Sequence, residues 1–365
     1  MKYIVADHYP AFRCKCGDCR ANCCVGWPVT ISRREYDRMM EAPCSEDFRQ
    51  EIKEALRQNF APDKDRYAHI VHDKHARCRL LGEDGLCSLQ KAAGEGVLPD
   101  VCRLYPRNRR SVGGVAECAL SLSCEGVMES ILFSREPISF TETEIGEEPL
   151  FSIDMSPAQY AECQRALEIM GDRGKSIPER FALLGEELFG CTERCGEEEG
   201  QLDAVRVLYQ LASDFSGKNK VAGPLCMEAL RFFGMSGKEK LSREDAAELV
   251  KRYREAAEHV FRGLKGWQDA AERLIVTHMF YNNFPHVGGT NDGERAFYGL
   301  AAICAFVKFV FTGNLGRWES KEDMADVLAD LFRLIEHSDF KYRASQAYRR
   351  QAEFSPGCWR QLVEL

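Results

Sequence analysis

The stretch Cys-Lys-Cys-Gly-Asp-Cys-Arg-Ala-Asn-Cys-Cys at residues 14–24 places five thiols in eleven residues, and this density decides how the fold must be built. The 365-residue chain has 17 cysteines, and eleven of them lie in its first 124 residues. Free cysteines that serve only as small apolar core residues would be spread more evenly along the chain. The concentration therefore indicates a direct role for the thiols.

Disulfide bonds and metal ligation are the two roles to compare. Disulfides need an oxidising compartment, and the first residues contain no apolar export segment, so we expect a cytoplasmic protein with reduced thiols. Thiolates are soft ligands for zinc, copper(I) and iron–sulfur clusters. Simple zinc modules have two separated Cys-x2-Cys pairs, whereas this chain has one, Cys16 and Cys19. The spacing favours an iron–sulfur cluster, with zinc as the alternative.

Single cysteines further along the chain are candidates to complete such a site. Residues 78–87 are predicted to form a hairpin that turns at Asp84-Gly85, which would bring Cys78 close to Cys87. A second hairpin is predicted to turn at Gly113-Gly114 and to lead towards Cys124. Distant parts of the N-terminal region would thus contribute ligands to one region of space.

Composition limits the other functions that the chain could have. An apolar content of 45% can fill a large core, and a net charge of −8 argues against general nucleic-acid binding. The apolar run 296–311 contains a lysine and is shorter than the ~20 residues that cross a bilayer. We therefore expect a buried core helix there and no transmembrane segment.

The predicted fold is mainly α, with an N-terminal cysteine-rich metal-binding module of short β-hairpins packed on a helical body. The predicted domains are a module at 1–135, a linker or edge segment at 136–156 and a helical domain at 157–365. Ser32 and Glu35 predict a capping box, and 45–60 a second helix. The later helices are expected at 157–171, 178–190, 201–214, 224–234, 242–262, 267–283, 294–313, 320–337 and 340–353.

Several spaced motifs of the first 130 residues resemble the bacterial flagellin lysine-N-methylases, which belong to a broader group of cysteine-rich proteins described as zinc- or iron-chelating. The motifs are Phe12-Arg13-Cys14, Cys19, Cys23-Cys24-Val25-Gly26-Trp27, Cys78-x-Leu80-Leu81, Gly85-Leu86-Cys87, Cys102-x2-Tyr105-Pro106-Arg107 and Ser123-Cys124. The broader group has the pattern C-x3-C-x2-C-C, whereas this chain has C-x2-C-x3-C-C from Cys16. Cys14 and Cys16 therefore compete for one role, and we prefer Cys14. Glu125 stands where the pattern has proline.

The resemblance implies methyl transfer from S-adenosylmethionine to lysine ε-amines of a protein substrate, flagellin, by an enzyme that depends on a [4Fe-4S] cluster. It also implies a set of metal ligands. The eight thiols that fit the motifs are Cys14, Cys19, Cys23, Cys24, Cys78, Cys87, Cys102 and Cys124. One cubane needs at most four of them, so either two metal centres exist or some of the thiols have another role.

The residues that are candidates for cofactor binding and for catalysis each have a structural interpretation as well as a functional one. Arg103, Tyr105 and Arg107 are the candidates for cofactor binding, because guanidinium groups suit carboxylates, although surface salt bridges would explain the arginines equally well. Tyr281 and His278 could orient or deprotonate a lysine amine, but aromatic residues at helical spacing more often fill a core. The alternative function is a non-catalytic zinc- or iron-binding module for protein interaction.

Overall fold

The structure is a computed structural model that describes all residues except 27–28, 191–195, 218, 288–291 and 352–358; for 348–351 it describes the backbone alone. Trp27 of the cysteine motif and most of the loop before residue 293 lie outside the described residues. Contacts divide the chain into two compact units. The cysteine unit consists of Arg13–Arg107 and Cys124–Gly126, and the helical unit of Met1–Phe12, Asn108–Ser123 and Val127–Leu365.

The described residues contain eight strands and fifteen α-helices. The strands are β1 Lys2–Ala6, β2 Thr30–Ile31, β3 Leu56–Gln58, β4 Ala68–Ile70, β5 Arg107–Val112, β6 Val115–Leu120, β7 Phe140–Glu144 and β8 Phe151–Ile153. The first five helices are α1 Arg33–Met40, α2 Glu46–Ala55, α3 Ser88–Ala93, α4 Asp100–Leu104 and α5 Glu125–Phe133. The others are α6 Pro157–Gly171, α7 Ile177–Phe189, α8 Glu197–Ser216, α9 Gly223–Phe232, α10 Arg243–Gly263, α11 Trp267–Asn282, α12 Gly293–Thr312, α13 Lys321–His337, α14 Phe340–Gln351 and α15 Trp359–Glu364. The predominance of helix is as predicted.

A five-stranded mixed sheet, in the order β7-β1-β6-β5-β8, belongs largely to the helical unit. The first strand, β1, runs parallel to β6 and antiparallel to β7. The hairpin of β5 and β6 turns at Gly113 and Gly114, whose φ angles of 55° and 86° confirm the predicted turn. The expectation of short hairpins alone was incomplete, because β1 pairs in parallel with a strand more than 100 residues away.

The segment predicted as a linker or edge, 136–156, supplies both edge strands of this sheet, β7 and β8. Strand β7 carries Thr and Glu side chains on an exposed edge, which hinders pairing with another chain. The limits predicted for the domains differ from the compact units, since Met1–Phe12 and Asn108–Ser123 group with the helices. Whether 157–365 forms an independent domain stays a prediction.

The cysteine unit is built on a small three-stranded sheet, in the order β2-β4-β3, covered by short helices. Ser32 caps α1, and Glu35 completes the predicted capping box by accepting the Ser32 N–H at 2.7 Å. The helix predicted at 45–60 ends at Ala55, because Leu56–Gln58 pairs with β4 instead and buries Leu56 opposite Ile70. The apolar core of this unit includes Ile31 and Ile52, which are fully buried.

Nine helices of the helical unit correspond to the nine predicted from periodicity, with ends shifted by a few residues. Helix α12 is the most apolar of them, and its length and mean hydropathy would allow it to cross a membrane. However, 72% of its apolar window is buried among the other parts of the protein. The helices that pack against it include α8, α10 and α14, so α12 is a buried core helix, as predicted for the apolar run.

Candidate functional site

The loop that contains Cys14, Cys19 and Cys23 is held by a buried carboxylate. Glu125, at the start of α5, accepts hydrogen bonds from Lys15 Nζ at 2.7 Å and from the Ala21 backbone N–H at 2.6 Å. Its side chain is inaccessible to solvent. The residue that departs from the family motif is thus the one that fixes the cysteine loop from both ends.

Burial and the charges of Glu125, Cys124 and Cys14 raise the pKa of Cys19 to about 12. The Cys16 N–H donates to Cys14 Sγ at 3.3 Å, so these two neighbours share one small region. Cys124 adjoins Glu125 in the chain and therefore lies beside the loop that Glu125 holds. Cys14, Cys19 and Cys124 therefore lie within electrostatic range of one another.

A second group of thiols surrounds Cys24. The Cys78 N–H donates to the Cys24 carbonyl at 2.7 Å, which ties the cysteine loop to the start of the predicted hairpin. The hydrogen bond with Cys23, burial, and the charges of Cys78 and Cys102 all raise the pKa of Cys24. Burial raises the pKa of Cys78 to about 11, and the charge of Cys87 contributes.

The predicted turn between Cys78 and Cys87 is confirmed. The Gly85 N–H donates to the Gly82 carbonyl at 3.1 Å, and Gly85 has a positive φ of 74°. A Cβ on Gly85 would lie 3.2 Å from the Gly17 carbonyl oxygen, so the turn needs glycine both for its φ and for its approach to the cysteine loop. The pairing itself is a single antiparallel bridge between Leu81 and Cys87 rather than two long strands.

Cys102 joins the second group from α4. Desolvation by the surrounding atoms, together with the charges of Cys78, Cys87 and Cys23, raises the pKa of Cys102. The electrostatic neighbours of Cys19, Cys24, Cys78 and Cys102 all include Cys23, which connects the two groups. None of the cysteines in the described part of the chain forms a disulfide.

All eight predicted thiols thus belong to the cysteine unit. Among the described residues, no group of three or more His, Cys, Asp or Glu side chains is arranged to hold a metal ion. The structure does not decide between Cys14 and Cys16, since both are exposed. The eight ligands stay a prediction.

The three residues predicted to bind a cofactor follow Cys102 closely. Arg103 lies in the last turn of α4 and pairs with Asp100 at 3.7 Å, while Tyr105 ends that helix and Arg107 begins β5. The next two arginines in the chain are buried and paired: Arg109 with Glu147, and Arg110 with Glu117 at 2.8 Å. The salt-bridge alternative therefore applies to Arg109 and Arg110 and in part to Arg103.

His278, in the helical unit, lies in a buried polar cluster. Its Nδ1 is 3.5 Å from Glu336 Oε1, and Ser121 Oγ donates to Glu336 Oε2 at 2.5 Å. Burial lowers the pKa of His278, although Glu336 opposes this effect, and the imidazole is therefore neutral near pH 7. Asn282 and Lys341 extend the cluster through a hydrogen bond between their side chains.

Tyr281 lies one turn from His278 on α11. Burial and the charge of Glu336 raise the pKa of Tyr281 to about 12, so the phenol is protonated near pH 7. Arg110 donates to the Tyr281 carbonyl at 2.7 Å and thereby satisfies a backbone acceptor at the end of α11. Tyr281 can orient a neighbouring group by hydrogen bonding but is a poor proton acceptor.

A cavity of about 310 Å³ in the helical unit gives access to this cluster. Its polar wall is formed by His278, Asn282, Asp292, Arg295 and Lys341, from α11, α12 and α14 and the residue before α12. Apolar side chains of α11, of α12 and of the segment between them, among them Met279, Phe284 and Leu300, complete it. The volume suits a side chain or a small ligand rather than a large cofactor.

The sequence did not predict the residues that surround the cysteine loop or those that surround His278. Glu125 was noticed only as a departure from a motif, and that departure was the available signal. Ser121, Glu336 and Lys341, around His278, come from three distant parts of the chain, and no local pattern links them. The thiols and Arg103, Tyr105 and Arg107 lie in one compact unit, and His278 and Tyr281 in the other.

Similarity to known families gives the class of protein, a lysine N-methylase. The sequence model of the FliB lysine N-methylase C-terminal domain matches residues 164–355, which is more than half of the chain. The chain belongs to the FliB lysine N-methylase family, and the resemblance inferred from the cysteine motifs is confirmed. Lysine-N-methylases are enzymes, so the prediction that this chain is an enzyme is confirmed.

Curated relatives extend the similarity beyond the matched domain. The lysine-N-methylase of Salmonella choleraesuis (strain SC-B67) is 21% identical over 369 residues, 90% of each chain. The lysine-N-methylase of Salmonella typhimurium is 22% identical, over 83% of this chain and 84% of the relative. The flagellar biosynthetic protein FliU of Salmonella muenchen is 27% identical, over 39% of this chain and 80% of that protein. No solved structure matches the chain.

Proposed function

We propose that this protein transfers methyl groups from S-adenosylmethionine to the ε-amines of lysine residues in flagellin. The observation that carries the proposal is the similarity to lysine-N-methylases along nearly their whole length. The similarity to a flagellar biosynthetic protein supports flagellin as the substrate. The place of action that fits this substrate is the cytoplasm, where flagellin is made.

A [4Fe-4S] cluster is the metal group that we propose for the cysteine unit. Its thiols raise one another's pKa values, so several could become thiolates together only if a cation balanced their charge. Soft sulfur donors fit iron–sulfur ligation, and the residues that would hold the cluster come from the eight thiols named above. When bound, such a cluster supplies iron for coordination or electron transfer.

Arg103, Tyr105 and Arg107 remain the proposed contacts for the methyl donor. They lie beside Cys102, and a guanidinium can hold the carboxylate of an amino acid through two parallel hydrogen bonds. Arg107 is the better candidate because it belongs to the Tyr105-Pro106-Arg107 motif.

The lysine amine must lose its proton before its lone pair can attack a methyl carbon. His278 is proposed as the acceptor, because its imidazole is neutral and forms part of the wall of the 310 Å³ cavity. Glu336, beside Nδ1, would stabilise the imidazolium that results. Tyr281, which keeps its proton, is proposed to orient this cluster.

Methylation of purified flagellin, followed by mass spectrometry with S-adenosylmethionine present, tests the proposal. We expect wild-type protein to add methyl groups to lysines, and His278→Gln to lower kcat by about 10²-fold or more. Tyr281→Phe should have a smaller effect. His259→Gln, at an exposed position on α10, is the matched control and should keep full activity.

Two results would contradict the proposal at different levels. Wild-type protein loaded with iron that never methylates flagellin would reject the substrate. Unchanged kcat in His278→Gln, with activity in the wild type, would reject the proton acceptor but leave the methyl transfer intact.

A further inference from the structure

A second cavity of the helical unit, of about 280 Å³, has different chemistry from the first. Its walls come from α7, α11, α12, α13 and α15, and most of its lining is aliphatic or aromatic. The apolar lining includes Ile177, Leu274, Leu300, Val307 and Phe332. At about 30 Å³ for a water-sized group, the cavity has room for about nine non-hydrogen atoms.

One charged side chain of this wall, Lys308 on α12, has no opposite charge beside it among the residues that the structure describes. No carboxylate of the described residues lies within ion-pair distance of its ammonium group. The ammonium lies instead 5.7 Å from the centre of the Phe261 ring. The acidic residue that also lines the cavity, Glu364, pairs with Arg360 at 3.9 Å.

The surroundings of Lys308 make its charge costly. Burial, together with the positive charge of Arg254, lowers the pKa of Lys308 to about 8. Partly buried cations are usually paired, because desolvation without a partner costs free energy. An anion placed between Lys308 and the apolar wall would remove that cost.

We propose that this cavity binds a small monocarboxylate with an apolar body, whose carboxylate pairs with Lys308 and whose hydrocarbon part fills the space towards Leu274 and Leu300. The charge of the site and the nature of its lining both fit this class of ligand. The cavity shares His278 with the first one, so an occupant could influence the proposed proton acceptor.

Octanoate, with ten non-hydrogen atoms, matches the estimated room, and octan-1-ol is the uncharged comparison. Isothermal titration calorimetry should show that octanoate binds the wild-type protein at least about tenfold more tightly than octan-1-ol, since a charge-assisted bond is lost in the alcohol. Octanoate affinity should fall between pH 7 and pH 9, as Lys308 loses its proton.

Variants separate the two parts of the ligand. Lys308→Met should lose about tenfold or more of the octanoate affinity and keep the octan-1-ol affinity. Lys251→Met, at an exposed position on α10, is the control for removing a positive charge. Ala271→Phe, on the cavity wall, should block both ligands, with circular dichroism to confirm folding.

Equal binding of octanoate to wild-type protein and Lys308→Met would overturn the proposal. So would equal binding of octanoate and octan-1-ol to the wild type, or no octanoate binding at millimolar concentration. None of these outcomes depends on methyl transfer, so the failure of this proposal and that of the proposed function are distinguishable.

Discussion

Glu125 is a single residue on which the geometry of the cysteine loop depends. Its buried carboxylate accepts from a side chain near one end of the loop, Lys15, and from a backbone N–H near the other, Ala21. Arg20 adds a second positive group, at 3.6 Å. Because the backbone N–H of Ala21 has a carboxylate as its acceptor, removing that carboxylate takes away a charge-assisted hydrogen bond to a part-buried group.

We expect Glu125→Ala to destabilise the cysteine unit by about 2–4 kcal/mol and to lower the iron content of anaerobically purified protein. Glu125→Gln, which can still accept from Ala21, should have a smaller effect. Glu142→Gln removes an exposed pair with Lys2 and should change neither quantity. Thermal unfolding and an iron assay measure both; wild-type iron content in Glu125→Ala would contradict the role of the residue.

At the scale of elements, two local features fix the five-stranded sheet. The turn between β5 and β6 needs positive φ at both glycines, yet the two positions differ in space. A Cβ on Gly113 would come 2.8 Å from the Met155 carbonyl oxygen, whereas a Cβ on Gly114 would meet nothing within 4 Å. Asp7, directly after β1, accepts from both terminal nitrogens of Arg273 on α11, at 2.9 and 3.0 Å.

The two glycines form a matched pair for mutagenesis. Gly114→Ala should cost about 1–2 kcal/mol, the price of a left-handed conformation for a residue with a Cβ. Gly113→Ala should cost more, since the clash with the Met155 carbonyl adds to the same backbone strain. Urea unfolding of both variants compares them; a larger loss in Gly114→Ala would show that the turn has a different geometry.

Asp7 predicts a specific dependence of stability on pH. Burial raises its pKa, but hydrogen bonds from His8 and Arg273 outweigh burial and hold it at about 2. The unfolded value is about 3.9, so the stabilisation is complete above pH 4 and is lost as the pH falls towards 2. The loss should be about 2 kcal/mol in wild type relative to Asp7→Asn. Denaturant titrations of both proteins between pH 5 and pH 2 measure it, and parallel curves would refute it.

For the whole molecule, the proposal of a cluster makes a prediction about metal content. Anaerobically purified protein should be brown and contain iron and acid-labile sulfide, and removal of the metal should lower the melting temperature of the cysteine unit. Cys24→Ser should lower the iron content, whereas Cys226→Ser, in a buried position on α9, should not. A colourless protein with zinc alone would favour the zinc alternative.

Local patterns in the sequence predicted the helices, the capping box at Ser32 and the turn at Gly113-Gly114, because each depends on neighbours within a few residues. The parallel pairing of β1 could not be predicted in this way, since its partners lie beyond the cysteine unit in the chain. Leu56 continued a helical pattern but pairs with Ile70, because burial in a sheet outweighs helix propensity. Local motifs also predicted the set of thiols. The surroundings of His278 could not be predicted in this way, because they depend on Ser121 and Glu336, which are 215 residues apart in the chain.

The path of the chain through the sheet has a consequence for biosynthesis. In the chain, the cysteine unit lies between β1 and the hairpin of β5 and β6. The ribosome therefore releases β1 long before β6 and β7, the strands that pair with it, have been synthesised. Until then its backbone donors and acceptors are open to other nascent chains. Slower translation of the inserted region would prolong this exposure and reduce the soluble yield of the recombinant protein.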